Sequence, residues 1–340
     1  MAYHTTPYLL LFLPVALLFY QITPVRWRSY TLLIFSYLFF WSFSEKLIIY
    51  LIGTTFLTHH ICIWMDTMDK RDKRKKRVLQ LGIFLLLGTI LCLKYRNFFF
   101  GNVSKLAMVL HIDWSYRDQL IFLPIGISFY TLSAIGYMTD VYWGKVKAEY
   151  SLVKTALFLG FFPIIVEGPI CRWEDVESTL FKNESVKAAN VFKGSYRIIW
   201  GLFKKMIIAD RLAVLVDKVY VGYESYSGAV IVAAAISYTI QLYMEFSGCM
   251  DMVIGSAGLF GIHLPENFSQ PFFAKTCTDF WKRWHITLGV WFKNYIFYPV
   301  SISKTARKWN KFTRKHFKGD FGKYMARMGI AAMALFPVWI

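Results

Sequence analysis

The sequence predicts an all-α integral membrane protein, and three observations carry that prediction. Hydrophobic residues fill 56% of the 340 positions and aromatics 19%, with a mean hydropathy of +0.41, beyond what a soluble domain carries. Apolar runs of roughly 20 residues recur along the chain, and hydrocarbon offers a backbone no water, so such runs must close their hydrogen bonds as helices. The alternation of apolar and polar residues that marks a membrane barrel is absent.

The elements follow in order. Pro7–Ile22, Tyr30–Phe43, Lys46–Met65 and Val78–Leu93 each read as a span ended by charged or aromatic residues suited to the interface. The opening MAYHTTPYLLLFLPVALLFY lacks the basic segment and cleavage site of a signal peptide, so it reads as a retained first span. Asn97–Trp114 is mixed and amphipathic, which predicts an interfacial segment, and Leu120–Tyr142 predicts a helix entered through Pro124. In Leu157–Pro169 (LFLGFFPIIVEGP), Gly160, Pro163, Gly168 and Pro169 predict a broken or re-entrant stretch rather than a straight span. Val191–Val221 and Ala229–Ile262 are apolar patterns interrupted by ionisable residues, and Leu264–Pro271 (LPENFSQP) stops a helix with two prolines and Asn267. No repeat and no soluble domain is evident, so residues 1–340 read as one polytopic domain.

The formal net charge is +18, but the basic residues gather between apolar runs rather than along a soluble groove. Asp66–Arg77 (DTMDKRDKRKKR) is the densest cluster, and the positive-inside rule places such a loop in the cytoplasm. Membrane topology thus accounts for the charge better than nucleic-acid binding. Cysteines 62, 92, 171, 249 and 277 form no C-x-x-C pair, and no disulfide framework or metal site is implied.

Ionisable groups at bilayer depth cost several kcal/mol unless paired or wetted. Glu167, Asp210, Glu245, Asp251, Asp279 and His285 therefore each demand a partner or a polar cavity. The richest stretch is Thr278–Tyr295 (TDFWKRWHITLGVWFKNY). On a continuous helix His285 would share a face with Trp281, Lys282, Leu288 and Gly289, although Pro271 and Pro299 suggest a bent course. Imidazole passes protons near neutral pH, and Trp281 and Trp284 would exclude water around it. A histidine among aromatics also serves as a structural hydrogen-bonding group, and spacing does not separate the two readings. H-E-x-x-H, G-x-S-x-G and Walker patterns are missing.

Several blocks resemble the membrane-bound O-acyltransferase family, in its bacterial branch of alginate O-acetylase, peptidoglycan O-acetyltransferases and the teichoic acid D-alanyl transfer protein. They are KYRNFF (Lys94–Phe99), Leu123–Tyr142, FFPIIVEGPICR (Phe161–Arg172), GLFKKMIIADRLA (Gly201–Ala213) and, above all, Gln241–Pro299. Within the last, EFSG at Glu245–Gly248 replaces the family's usual DFSG.

The resemblance implies a ring of tilted helices around a central funnel, where an acyl donor such as acetyl coenzyme A or a carrier-bound acyl group meets a hydroxyl acceptor. It carries a catalytic role onto His285, with Trp281, Trp284, Lys282, Arg283 and Gly289 lining the passage. Glu167, Glu245, Asp251, Asn267 and Asp279 would give structural polar support, and Lys204 and Lys205 could join Lys282 and Arg283 in attracting an anionic donor. No metal is implied. The implied function is transfer of an acetyl or other short acyl group to hydroxyls of a cell-surface polysaccharide or to an extracytoplasmic transferase or hydrolase-like partner, from a multi-pass position in a bacterial plasma membrane. The second histidine of the family, set in a G-L-W-H-G type motif, does not occur in this sequence, and fewer than the roughly 20 residues needed to cross follow Arg327. The expectation is a chain cut before that motif, with little activity alone. The alternative is an inactive family member acting as a membrane scaffold or pore.

Overall fold

A computed structural model of the protein describes residues 2–69, 72–112, 114, 124–317 and 319–339, the last four of these without their side chains. Its described elements are helices, joined by one isolated antiparallel bridge. The chain forms two compact units, Met1–Glu266 and Asn267–Ile340.

In the first unit a π-helical turn at Pro7–Phe12 leads into α1 (Leu13–Ile22), followed by α2 (Arg28–Ser44), α3 (Ile48–Asp66) and α4 (Lys73–Val109). α1, α2 and α3 match the first three predicted spans closely, because their apolar runs end in Pro, Trp or charge, whereas the fourth, Val78–Leu93, is the middle of the longer α4. Among the described residues, three helical stretches are long and apolar enough to cross a membrane: Val25–Asp66, Lys73–Val109 and Gly228–Leu259.

Two boundary expectations are corrected. Asn97–Trp114 is not a separate interfacial segment; its residues up to Val109 continue α4. No proline interrupts α4, and Asn102 Nδ2 satisfies itself on the Phe98 carbonyl one turn back at 2.7 Å, so polar residues do not break it. At 1.5 Å per residue, α4 is about 55 Å long, more than the hydrocarbon core of about 30 Å requires. The basic cluster after Asp66 is likewise less of a loop than expected. Asp72 caps α4 by accepting the Arg74 backbone N–H at 2.7 Å, and Lys73–Arg77 form the first turns of the helix. The helix predicted over Leu120–Tyr142 is α5 (Ile127–Trp143); residues 120–123 lie outside the described residues.

The chain continues with α6 (Leu152–Gly160), α7 (Trp173–Leu180), α8 (Ala188–Leu202), a π-helical turn at Phe203–Ala209, α9 (Asp210–Val221) and α10 (Gly228–Leu259). Between α6 and α7 the predicted break occurs: helix stops at Gly160 and turns follow. Its exposed backbone groups find partners inside the fold, as irregular backbone in an apolar setting must. The Phe162 N–H donates to Ser36 Oγ at 3.1 Å, and the Phe162 carbonyl accepts the Tyr3 hydroxyl at 2.9 Å. Phe162 itself joins a buried aromatic cluster with Tyr8, Phe12 and Phe39.

Helices α8 and α10 approach through two glycine pairs, Gly194 with Gly255 and Gly201 with Gly248, each pair set seven residues from the other. A Cβ at Gly201 would lie 2.5 Å from the Gly248 carbonyl oxygen, and one at Gly255 would lie 2.8 Å from the Gly194 oxygen. Small residues at such a crossing bring backbones together where hydrocarbon supplies no hydrophobic drive.

The second unit holds α11 (Cys277–Arg283), α12 (Ile286–Phe292), a π-helical turn at Lys293–Phe297, α13 (Tyr298–Ser301), α14 (Lys304–His316) and α15 (Gly319–Trp339).

Candidate active site

Asn267 and the residues around His285 build one local structure within the second unit. Thr276 caps α11 through Oγ1, which accepts the Asp279 N–H at 3.0 Å, and the seven-residue helix ends at Arg283. The chain then turns back against the Asn267–Ser269 stretch. The Ser269 N–H donates to the Arg283 carbonyl at 3.0 Å, the Ile286 N–H donates to the Asn267 carbonyl at 2.9 Å, and Phe268 and Trp284 form the isolated bridge.

This clip decides where the imidazole goes. His285 is not on a helix: it has φ 47° and ψ 54°, a left-handed conformation between α11 and α12. The expected stacking of His285 with Trp281, Lys282, Leu288 and Gly289 at helical spacing is therefore corrected. A left-handed non-glycine residue costs about 1–2 kcal/mol, and it persists where neighbouring contacts over-determine it. Here the flanking hydrogen bonds to Asn267 do so.

Asn267 is fully buried and its side-chain Oδ1 is a shared acceptor. It accepts the Thr287 N–H at 3.1 Å and the Thr287 hydroxyl at 3.0 Å, and it lies 3.1 Å from His285 Nδ1. A backbone N–H only donates, so this contact fixes which end of the amide is the oxygen. The nitrogen facing that oxygen must then be Nδ1–H, which places the imidazole lone pair on Nε2. An imidazole held in that tautomer is arranged to accept a proton through Nε2.

The other predicted site residues spread around this centre. Trp284 packs into an aromatic group, stacked on Phe280 at 5.6 Å and edge-on to Phe268 at 5.1 Å. Trp281 touches Phe280 edge-on and remains 61% exposed, and Lys282 is exposed. Arg283 turns back to Asp279 at 3.0 Å, an (i, i+4) pair. Gly289 is exposed, and the nearest atom to a Cβ placed there is the Trp281 carbonyl oxygen at 3.9 Å, so this position stands open. Thr287 was missed by the sequence reading. Only its hydrogen bonds to Asn267 reveal it, and a threonine two residues after a histidine carries no signal of its own.

The ionisable residues of the first unit pair with one another. Lys204 reaches Asp251 at 2.6 Å, and Arg197 bridges Asp251 at 3.1 Å and Glu266 at 2.5 Å. Lys205 lies between Asp210 at 2.8 Å and Glu245 at 2.5 Å. The thiol of Cys249 donates to Glu167 at 3.4 Å. Lys204 and Lys205, which the sequence offered as candidates to attract an anionic donor, each pair with carboxylates of the first unit. The π-helical turn at Phe203–Ala209 presents these two adjacent lysines to different partners.

Long apolar helices, together with an imidazole held by a buried asparagine, define a class: helical membrane proteins that carry a fixed histidine. The particular family follows from comparison. The model of the membrane-bound O-acyltransferase family matches residues 145–314, a range that includes the whole Asn267–Thr287 arrangement, and this chain belongs to that family. It is 33% identical over 297 residues to the probable alginate O-acetylase AlgI of Pseudomonas aeruginosa, covering 87% of this chain and 56% of that one. Similarity to the peptidoglycan O-acetyltransferase of Helicobacter pylori is 30% over 340 residues, covering 88% and 61%. With the teichoic acid D-alanyltransferase of Bacillus subtilis it is 30% over 193 residues, covering 55% and 48%. The chain thus spans roughly half to three fifths of the length of these relatives.

Proposed function

We propose that this chain contributes to a membrane O-acyltransferase that moves an acetyl or other short acyl group from a thioester donor to a hydroxyl of a cell-surface polysaccharide, directly or through an extracytoplasmic partner. Support comes from membership in the family, from relatives named for acetylation or D-alanylation of envelope polymers, and from the imidazole held by Asn267. The last of these carries the reading at the level of chemistry.

In this reading His285 Nε2 takes up the acceptor's hydroxyl proton as the oxygen attacks the acyl carbonyl. The new C–O bond forms, the donor's C–S bond breaks, and the proton passes on to the departing thiolate. Asn267 keeps Nδ1 protonated and the ring oriented, which is a positioning role. Trp281, Trp284 and Gly289 line the approach, Lys282 and Arg283 lie on the side of an anionic donor such as acetyl coenzyme A or an acyl carrier, Asp279 supports α11, and Glu167, Glu245 and Asp251 give polar support within the first unit. The reading also entails a ring of helices around a funnel, a multi-pass place in a bacterial plasma membrane and a cytoplasmic side for the Asp66–Arg77 segment.

The test is transfer of labelled acetyl from coenzyme A to a polysaccharide in proteoliposomes holding the protein that contains this chain. His285→Ala should lower turnover by about 10²–10⁴-fold, the usual worth of a positioned acid–base group. Unchanged turnover would remove His285 from the chemistry, and no transfer from the wild type would favour a non-catalytic membrane scaffold.

A further inference from the structure

Helix α14, Lys304–His316 (KTARKWNKFTRKH), has no part in the proposed chemistry, yet its charge is the most one-sided in the second unit. Ser303 caps it, with Oγ accepting the Ala306 N–H at 3.1 Å. Ala306 and Thr313 are buried, seven residues apart on one face, and the Trp309 indole N–H donates to the Met325 carbonyl of α15 at 3.2 Å. This face fixes the helix on α15.

Lys304, Lys308, Lys311 and Lys315 recur at intervals of four, three and four residues and so form a single exposed stripe, flanked by Arg307 and Arg314. At 100° per residue the six cations fall within an arc of about 120° centred well away from Ala306 and Thr313. No carboxylate occurs in the sequence between Asp279 and Asp320, and those two are engaged by Arg283 and Lys323. Among the described residues, none of the six cations forms an ion pair. Arg307 turns to the Ile302 carbonyl at 3.0 Å instead. Along the edge of the stripe Phe312 is 48% exposed, in contact with Trp309 and with His316, whose ring centroid is 4.2 Å away.

We infer that α14 is a surface helix that docks on anionic phospholipid headgroups, its lysine and arginine stripe facing phosphates and Phe312 entering the headgroup region. Charge complementarity selects the occupant: the stripe is cationic without compensation, the chain carries long apolar helices, and an amphipathic basic helix edged by aromatics suits the plane of a membrane interface. A soluble anion would use one or two of these cations, whereas a stripe running the length of the helix matches an extended array of phosphates.

The test uses the whole chain in lipid nanodiscs of phosphatidylcholine alone or with a third phosphatidylglycerol, with backbone hydrogen exchange of residues 304–316 as the readout. Each cation near an anionic surface adds a factor of about five in binding, so phosphatidylglycerol should slow exchange in α14 roughly tenfold or more, with reversal in high salt. The triple change Lys308→Glu, Lys311→Glu, Lys315→Glu should abolish the response, while the three Lys→Arg changes should keep it. Exchange in α12 and α15 serves as the check that each variant is folded. Equal exchange in the two lipids, or a response that survives the Glu changes in a folded variant, would overturn the inference. So would protection by inorganic phosphate or by a soluble acidic protein in phosphatidylcholine discs without any response to phosphatidylglycerol.

Discussion

Asn267 Oδ1 and His285 Nδ1 lie 3.1 Å apart across 18 residues of sequence, and with the Thr287 N–H fixing that atom as the amide oxygen, the contact assigns the imidazole its tautomer. The same oxygen holds the Thr287 N–H, so the residue that orients the ring also shapes the backbone that carries it.

Replacing Asn267 by Asp should preserve the fold, because a carboxylate accepts the same hydrogen bonds. It would also stabilise the imidazolium, raising the His285 pKa. A base that holds its proton to higher pH becomes active later, so the rising limb of the pH–rate profile should move upward. Asn267→Leu should instead strand the Thr287 N–H and cost about 1–3 kcal/mol, read as a lower midpoint of thermal unfolding.

The carboxylates around Arg197 differ in burial and should differ in weight. Glu266 is 56% exposed at its side chain, whereas Asp251 is 12% exposed and serves both Lys204 and Arg197. Asp251→Ala should destabilise by about 3–5 kcal/mol, the cost of leaving the inward Lys204 unpaired while Arg197 keeps only Glu266. Glu266→Ala should cost no more than about 1 kcal/mol. Denaturation of the two variants in the same detergent checks the order, and equal losses would contradict it.

Gly201→Ala should force α8 and α10 apart, since its new methyl would meet backbone rather than a movable side chain. Overpacking of that kind costs about 1–3 kcal/mol. Gly53→Ala, where a Cβ meets nothing within 4 Å, is the matched control and should leave the melting temperature unchanged or slightly raised.

The cap on α4 should be sensitive to acid. Hydrogen bonding from the Arg74 backbone N–H holds the Asp72 carboxyl below its ordinary value of 3.8. A depressed folded-state pKa gives stabilisation that is present above the unfolded value and lost as pH falls through the folded one. Amide exchange in the first turn of α4 should therefore quicken only at pH below about 4, and Asp72→Ala should show the faster rate at neutral pH.

Much of the fold was legible before any coordinates. Apolar runs with polar ends located α1 to α4 and α10, and the Gly and Pro residues of Leu157–Pro169 located the break after Gly160. The error over Asn97–Trp114 arose because an amphipathic pattern does not say whether a helix ends or simply leaves the hydrocarbon. That Glu167, Asp210, Glu245 and Asp251 take partners was also readable, since charge within an apolar pattern is costly alone, although of the four only Asp251 is buried. Which partners they take was not, because Arg197 and Lys204 meet Asp251 only once α8 and α10 close at their glycine pairs.

By itself the sequence determined the apolar character of this protein, the place of α1 to α3, α5 and α10 and the histidine worth attention, since each of these depends on composition and local period. Tertiary structure alone decided that His285 leaves the helical path and points one chosen nitrogen toward Asn267. A left-handed residue and a fixed tautomer are both unfavourable in isolation. They exist because a distant amide and a returning strand-like clip supply the hydrogen bonds that outweigh the cost.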